Sequence, residues 1–296
     1  MVAIVKIILN EKEYAERCLK TGEIDEKPFR TLQILAKYYY HILAYRKKRI
    51  TKLLTEYMQN NYDRYNSNIN SWNDTIEKIA AKAGKYTLCE ISEIWITENE
   101  LKTIDNIEGD IDLKALAFTF LCLAKLGNAK NNKNNGWVNY KTKDVFDLAH
   151  ISANINDQDT MIGYLRMMGL IELPKKNDNL SNRVTFVDDD STKILRIDDF
   201  RGLRYAYLKY KGENIVKCLN CGVLMKGNKA GTKKYCSDCA TYTPQITKKI
   251  KCIDCGMEFE TDSKNNRSLR CPECYETHRK SQVKENVQRY REKHIM

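Results

Sequence analysis

Four Cys-x-x-Cys pairs in the last third of the chain limit what it can fold into more than any other feature. They are Cys218/Cys221, Cys236/Cys239, Cys252/Cys255 and Cys271/Cys274, with fourteen residues between Cys221 and Cys236 and fifteen between Cys255 and Cys271. Those intervals lie in the range of four-cysteine metal modules. A Cys-x-x-Cys turn brings two thiolates to one tetrahedral ion at about 2.3 Å each, and a hairpin returns the second pair to close the shell. Gly222 and Gly256 follow the first pair of each set, where a residue free to take positive φ lets the turn reverse. The expectation is two ions per chain, zinc, with iron in a rubredoxin-like site as the alternative. Four thiolates leave no open position at which water could be activated, so the ions are expected to be structural. A lone Cys-x-x-Cys can be a redox motif, but no βαβ pattern surrounds any of these pairs.

The segment that holds the cysteines also holds the charge. Residues 201–296 carry 21 Lys and Arg against 10 Asp and Glu, while residues 1–200 carry 29 of each, so the formal +11 comes from the last third. Eight thiolates and two divalent ions would lower it to about +7. Lys226, Lys229, Lys233 and Lys234 surround the first hairpin, and Arg267 and Arg270 precede Cys271. Arg279, Lys280, Lys284, Arg289, Arg291 and Lys293 follow on a closing helical run, with Tyr235, Tyr275 and Tyr290 sparsely interleaved. This pattern suits phosphate contact better than base stacking.

The opening residues 1–9 are too short and too soon charged for a signal peptide or a membrane span, and read as an edge strand. With no export signal, the eleven cysteines are assigned to a reducing compartment, hence a cytoplasmic protein with no membrane partner.

Ahead of the cysteines, hydrophobic spacing predicts helices. Residues 28–45 place Phe29, Leu32, Leu35, Ala36, Tyr39, Ile42 and Leu43 on one face; a second pattern runs through Ile50, Leu53, Leu54, Tyr57 and Met58. After an Asn-rich loop at 60–71, Trp72, Ile76, Ile79, Ala80 and Ala83 mark a third helix, with Gly84 as its left-handed cap. Alternation in 86–91 and 93–97 then predicts a hairpin. The same order returns: a helix over 112–126, a polar loop through 131–135, a helix from Thr142, a third helix over 157–168 closed by Gly169, and strands at 170–173 and 183–187. Asn73-Asp74-Thr75-Ile76 and Gln158-Asp159-Thr160-Met161 open the two third helices, which reads as a duplication about 85 residues apart. Residues 194–197 read as a strand and 199–210 as a connecting helix ended by Gly212.

Three helices and a hairpin are the order of a winged helix. Tyr164-Leu165-Arg166-Met167-Met168-Gly169-Leu170-Ile171-Glu172 resembles the entry to the wing in bacterial winged-helix proteins, and the pairing is similar to plasmid and phage replication initiators over about residues 28–190. The cysteine region resembles treble-clef modules of phage and mobile-element proteins, a plain zinc ribbon staying open for the first. The fold class implied is mainly α with small β hairpins (α+β): winged-helix domains at 1–110 and 111–198, a helical connector at 199–216, and four-cysteine zinc modules at 217–247 and 248–296, the last ending in a basic helix. The resemblance implies double-stranded DNA as partner, with Lys78, Lys82, Gln158, Tyr164 and Arg166 at the groove or backbone.

Cys18, Cys89 and Cys122 sit alone on apolar segments and read as core. No phosphate-cradling Gly-rich loop, paired carboxylate or histidine-bearing zinc hairpin is present, so no catalysis is expected. The expected function is non-enzymatic DNA binding in replication initiation or transcriptional control of a phage or mobile element. The alternative is an adaptor or inhibitor that grips a host protein or nucleoprotein. DNA against RNA stays open.

Overall fold

Asn10 and Gly22 mark a helix that apolar periodicity did not reveal. In the computed structural model, which describes residues 7–25, 27–174, 181–242, 247–262 and 269–294, α1 (Glu11–Thr21) opens with the Asn10 side chain accepting from the amides of Lys12 and Glu13. It closes on Gly22 at φ 72°, the left-handed cap that glycine adopts without steric cost. Helices α2 (Phe29–His41), α3 (Lys47–Asn61) and α4 (Ile69–Ala81) follow. Leu32, Leu35, Ile50, Leu54, Met58 and Ile76 are fully buried in one core built by these four helices. The sequence placed Ile42 and Leu43 in that core, but α2 stops at His41 and both side chains are exposed. Only part of the Asn-rich stretch is a loop: residues 66–68 form a 3-10 turn and α4 begins at Ile69. Gly84 is not a left-handed cap; Lys82 caps α4. A Cβ at 84 would stand 2.5 Å from Cζ of Tyr40, so a larger residue there would displace that ring.

The hairpin expected at 86–97 does not form. Residues 94–97 make β1 (Ile94–Thr97), which pairs antiparallel with Lys193–Ile197, Ile94 facing Ile197 and Ile96 facing Leu195. The preceding segment turns instead to the chain start: Glu11 N–H donates to Cys89 O, Ile91 N–H to Leu9 O, and Asn10 and Glu90 form an isolated bridge. Residues 7–9, expected in an edge strand, contribute no strand, and residues 1–6 lie outside the described residues. Alternation specifies which face a strand buries, not which strand it meets. Ile94 and Ile96 are buried in a second core, and the partner that reaches it is a hundred residues away. Segments 71–97 and 156–187 are therefore not two copies of one helix-and-hairpin unit.

That second core is organised by one helix. After α5 (Glu98–Asp105), α6 (Ile111–Lys130) is buried continuously from Ala115 to Leu126. A helix apolar on every side belongs in the middle of a core. Around it come β2 (Trp137–Val138), α7 (Thr142–Leu148), α8 (Ile155–Met167), β3 (Ile171–Glu172), β4 (Asn182–Val184), β5 (Lys193–Ile197), a 3-10 turn at Phe200–Gly202 and α9 (Leu203–Tyr210). The strands β2, β4 and β3 form an antiparallel sheet with β4 central. Asn154 caps α8 by accepting from Asp157 N–H, and Gly169 at φ 72° ends it. Residues 199–210, expected as a connector, belong to the core: Phe200, Leu203 and Tyr207 are buried, and Tyr207 stacks on Phe118 with centroids 5.4 Å apart. The strand β1 and helix α5, assigned by sequence to a first domain ending at 110, also pack here.

Residue contacts divide the chain into units at 1–234 and 235–296. The first ends with a hairpin of β6 (Ile215–Lys217) and β7 (Leu224–Lys226). The second holds α10 (Ser237–Tyr242), β8 (Thr247–Lys251) paired with β9 (Glu258–Asp262), and α11 (Pro272–His294). Its buried side chains, among the described residues, are Cys239, Cys252 and Cys271. The whole is a mixed α+β fold, rich in helix, with small antiparallel sheets. Among the described residues no helix is long and apolar enough to cross a membrane.

Candidate metal centres

Each first cysteine pair lies on a tight turn, and the two turns use the same hydrogen bonds. Cys218 N–H donates to Val223 O and Gly222 N–H to Cys218 O, both at 2.9 Å; Cys252 N–H to Met257 O and Gly256 N–H to Cys252 O repeat them at 2.9 Å. Gly222 and Gly256 take φ of 74° and 72°, the conformation expected of them. A further bond recurs, from Leu219 N–H to Lys234 O and from Ile253 N–H to Leu269 O. Each second pair begins a helix, Ser237 starting α10 and Pro272 starting α11. Ala240 N–H donates to Cys236 O and Tyr275 N–H to Cys271 O, again at 2.9 Å.

The result is two clusters of four thiols, Cys218, Cys221, Cys236 and Cys239, and Cys252, Cys255, Cys271 and Cys274, each with its sulfurs within 4.8 Å of one another. None of the eleven cysteines, all among the described residues, is joined in a disulfide. The fit to a metal can be tested by distance. Four thiolates at about 2.3 Å around a tetrahedral ion stand about 3.8 Å apart, and Cys255 Sγ lies 3.7 Å from Cys271 Sγ.

The acid–base balance points the same way. Backbone N–H groups of Cys255 and then Cys271 favour the Cys252 thiolate and hold its pKa down at about 6. The Cys274 thiol is pushed up by the Cys271 and Cys255 sulfurs beside it. Four sulfurs this close cannot all ionise without a compensating cation, and a bound divalent ion supplies that charge.

Two arginines support the turns. Arg201 Nη2 donates to Cys221 O at 2.8 Å while its guanidinium grips Asp199 at 2.7 Å; the sequence carried no sign of this role. Arg270, expected at phosphate, reaches Asp254 inside the second turn at 2.7 Å.

Most of the remaining candidate cations that the structure describes are exposed. Lys226 stands 3.8 Å from Glu213, and Lys229, Lys233 and Lys234 point to solvent. On α11, Lys280 and Lys284 are exposed, and Arg279 and Arg289 lie 3.8 and 3.6 Å from Glu276 and Glu285. Arg267 lies outside the described residues. On α4, Lys78 is exposed, as is Lys82 at its C-terminal cap. On α8 the three candidates differ: Tyr164 is exposed, Gln158 Nε2 donates to Ala153 O, and Arg166 Nη2 donates to buried Asn182. Arg166 thus ties α8 to β4.

Cys18 and Cys122 are fully buried, and burial pushes the Cys122 thiol well up. His41 and His150 donate to the carbonyls of Tyr86 and Arg201.

Compared with known proteins, the chain matches no family model, no curated protein and no solved structure. Its fold and clusters define a mixed α+β protein with two four-cysteine candidate metal centres, and any functional reading rests on its own residues.

Proposed function

We propose that the chain is a non-enzymatic, zinc-dependent protein that binds double-stranded DNA, with replication initiation or transcriptional control in a phage or mobile element as its setting. The observation that carries this reading is the arrangement of residues 111–184. Helix α6, strand β2, helices α7 and α8, and strands β3 and β4 follow one another, with the sheet order β2-β4-β3. We read this order as a winged helix, whose third helix would enter a groove while the hairpin flanks it. A single winged helix is proposed, since the first hairpin is absent. Zinc is the ion chosen because four thiolates make a closed, soft, tetrahedral set. The exposed lysines and arginines of the four-cysteine modules would add salt-dependent contacts to phosphates.

The test is duplex binding by the full-length protein, measured by fluorescence anisotropy across a salt series. Changing Arg279, Lys280 and Lys284 together to Ala should weaken binding to all duplexes alike. Each phosphate no longer neutralised should lower the slope of log affinity against log salt by about 0.9. Absence of duplex binding at about 50 mM salt, a regime that favours phosphate contacts, would overturn the reading.

A second reading, an adaptor or inhibitor that grips a host protein, is favoured by the outer face of α8. Asp157 and Asp159 are exposed there, as are Ile155 and Met167, the latter 83 % exposed, while Arg166 is turned inward to Asn182. A helix face that is acidic and apolar repels phosphates and suits a protein surface. Duplex binding that fails while a host protein co-purifies through this face would favour it.

A further inference from the structure

Helices α2 and α4 leave a groove between them. Phe29, Gln33 and Lys37, four residues apart on α2, line one wall; Lys78 on α4 and Lys82 at its cap, four apart, line the other, and Tyr86 closes the rim around a volume of about 450 Å³. That volume lies within the range of small-ligand sites. Lys37 is held by Glu11 at 2.8 Å. Neither Lys78 nor Lys82 has a carboxylate partner among the described residues, and no Asp or Glu among them lines the groove. Two ammonium groups one helical turn apart without a carboxylate partner repel each other, and a bound anion would relieve that repulsion.

The aromatic rings give the groove a second chemistry. Tyr86 is 61 % exposed, and Phe29 49 %. The backbone at Tyr86 is anchored, because His41 Nε2 donates to its carbonyl at 3.0 Å, while its ring is largely open to solvent. Lys85 Nζ lies 5.2 Å from the Tyr86 ring centroid. An aromatic face open to solvent and next to lysines without a carboxylate partner is suited to stack an unpaired base whose phosphate needs a cation.

We propose that the groove between α2 and α4 binds a nucleotide unit, base on the aromatic rim and phosphate on Lys78 and Lys82, presented by a single strand of nucleic acid or as a free nucleotide. A duplex is a poor ligand here because its base faces are already stacked. The proposal does not rest on the winged-helix reading, which concerns a different surface and a different ligand.

The test uses the full-length, metal-loaded protein and a short fluorescein-labelled oligothymidylate, with dTMP and inorganic phosphate as competitors. Lys78→Ala with Lys82→Ala should weaken binding at least about tenfold and flatten the salt slope by about 0.7 for each single-strand phosphate no longer bound. Tyr86→Ala should weaken it about five- to a hundredfold through loss of stacking, and Tyr86→Phe, which keeps the ring, should bind nearly as the parent does. Lys78→Glu with Lys82→Glu provides a second, charge-reversed check on the same site. Competition by dTMP would identify free nucleotide as a ligand; variant effects without such competition would identify the strand. Unchanged oligonucleotide binding in the lysine and Tyr86→Ala variants, or inorganic phosphate competing as well as dTMP, would overturn the proposal.

Discussion

Replacing Cys271 by Ser removes one ligand from the second centre and tests whether metal, rather than packing, holds that module. Among the described residues of the module only Cys252 and Cys271 are buried; Ile250 and Phe259, paired across β8 and β9, are half-buried. Even full burial of both would contribute only about 3–6 kcal/mol, whereas ordering costs about 1–2 kcal/mol per residue in backbone entropy alone. A structural zinc contributes about 10–16 kcal/mol in small modules, so it is the largest favourable term by a wide margin. Helix α11 depends on the same ion: it is 23 residues long, and Val283 and Val287 on its face are exposed. A helix without a packed face is marginal alone. The Cys271→Ser chain should therefore carry one ion instead of two by elemental analysis. Trypsin should cut it readily after Arg270 and within α11, while α1 to α9 stay protected. Retention of two ions, or an α11 that resists trypsin without its ion, would refute the reasoning.

Lys125→Met should destabilise the second core by about 3–5 kcal/mol in urea unfolding, because it leaves fully buried Glu100, 2.8 Å away, without its cation; a cost under about 1 kcal/mol would mean that the pair is not desolvated. Arg166→Ala should cost about 1–3 kcal/mol by orphaning buried Asn182. Tyr164→Ala should leave stability unchanged and lower discrimination among DNA sites. An Arg166→Ala chain of parental stability with altered site preference would return that residue to the groove. Trp95→Cys with Arg196→Cys, directly opposed in the β1–β5 ladder, should form a disulfide detectable by peptide mass mapping; its absence under oxidation would contradict the pairing.

The features legible in the sequence are those whose cause is local. Two cysteines two residues apart can share an ion wherever the chain goes, and Gly222 and Gly256 take positive φ because the turn itself demands it. Most of the helices announced themselves through apolar spacing, since a helix's neighbours are its own turns. Even α1 has a local signal in its caps, Asn10 and Gly22, although its buried face is only Tyr14, Ala15 and Cys18. What tertiary structure decided are the partners. Strand β1 needed an antiparallel neighbour, and alternation at 94–97 was equally compatible with the adjacent segment and with β5. The buried faces of Ile94 and Ile96 chose β5, which shares their core. Gly84 has the position of a cap, but what it meets is the ring of Tyr40, over forty residues earlier. Arg166 and Arg270 were basic residues in suitable places; the amide and carboxylate oxygens that claim them, on Asn182 and Asp254, are set by how elements pack. Charge and spacing are written residue by residue, whereas the occupant of a hydrogen bond or a strand edge depends on which distant segments can be buried together.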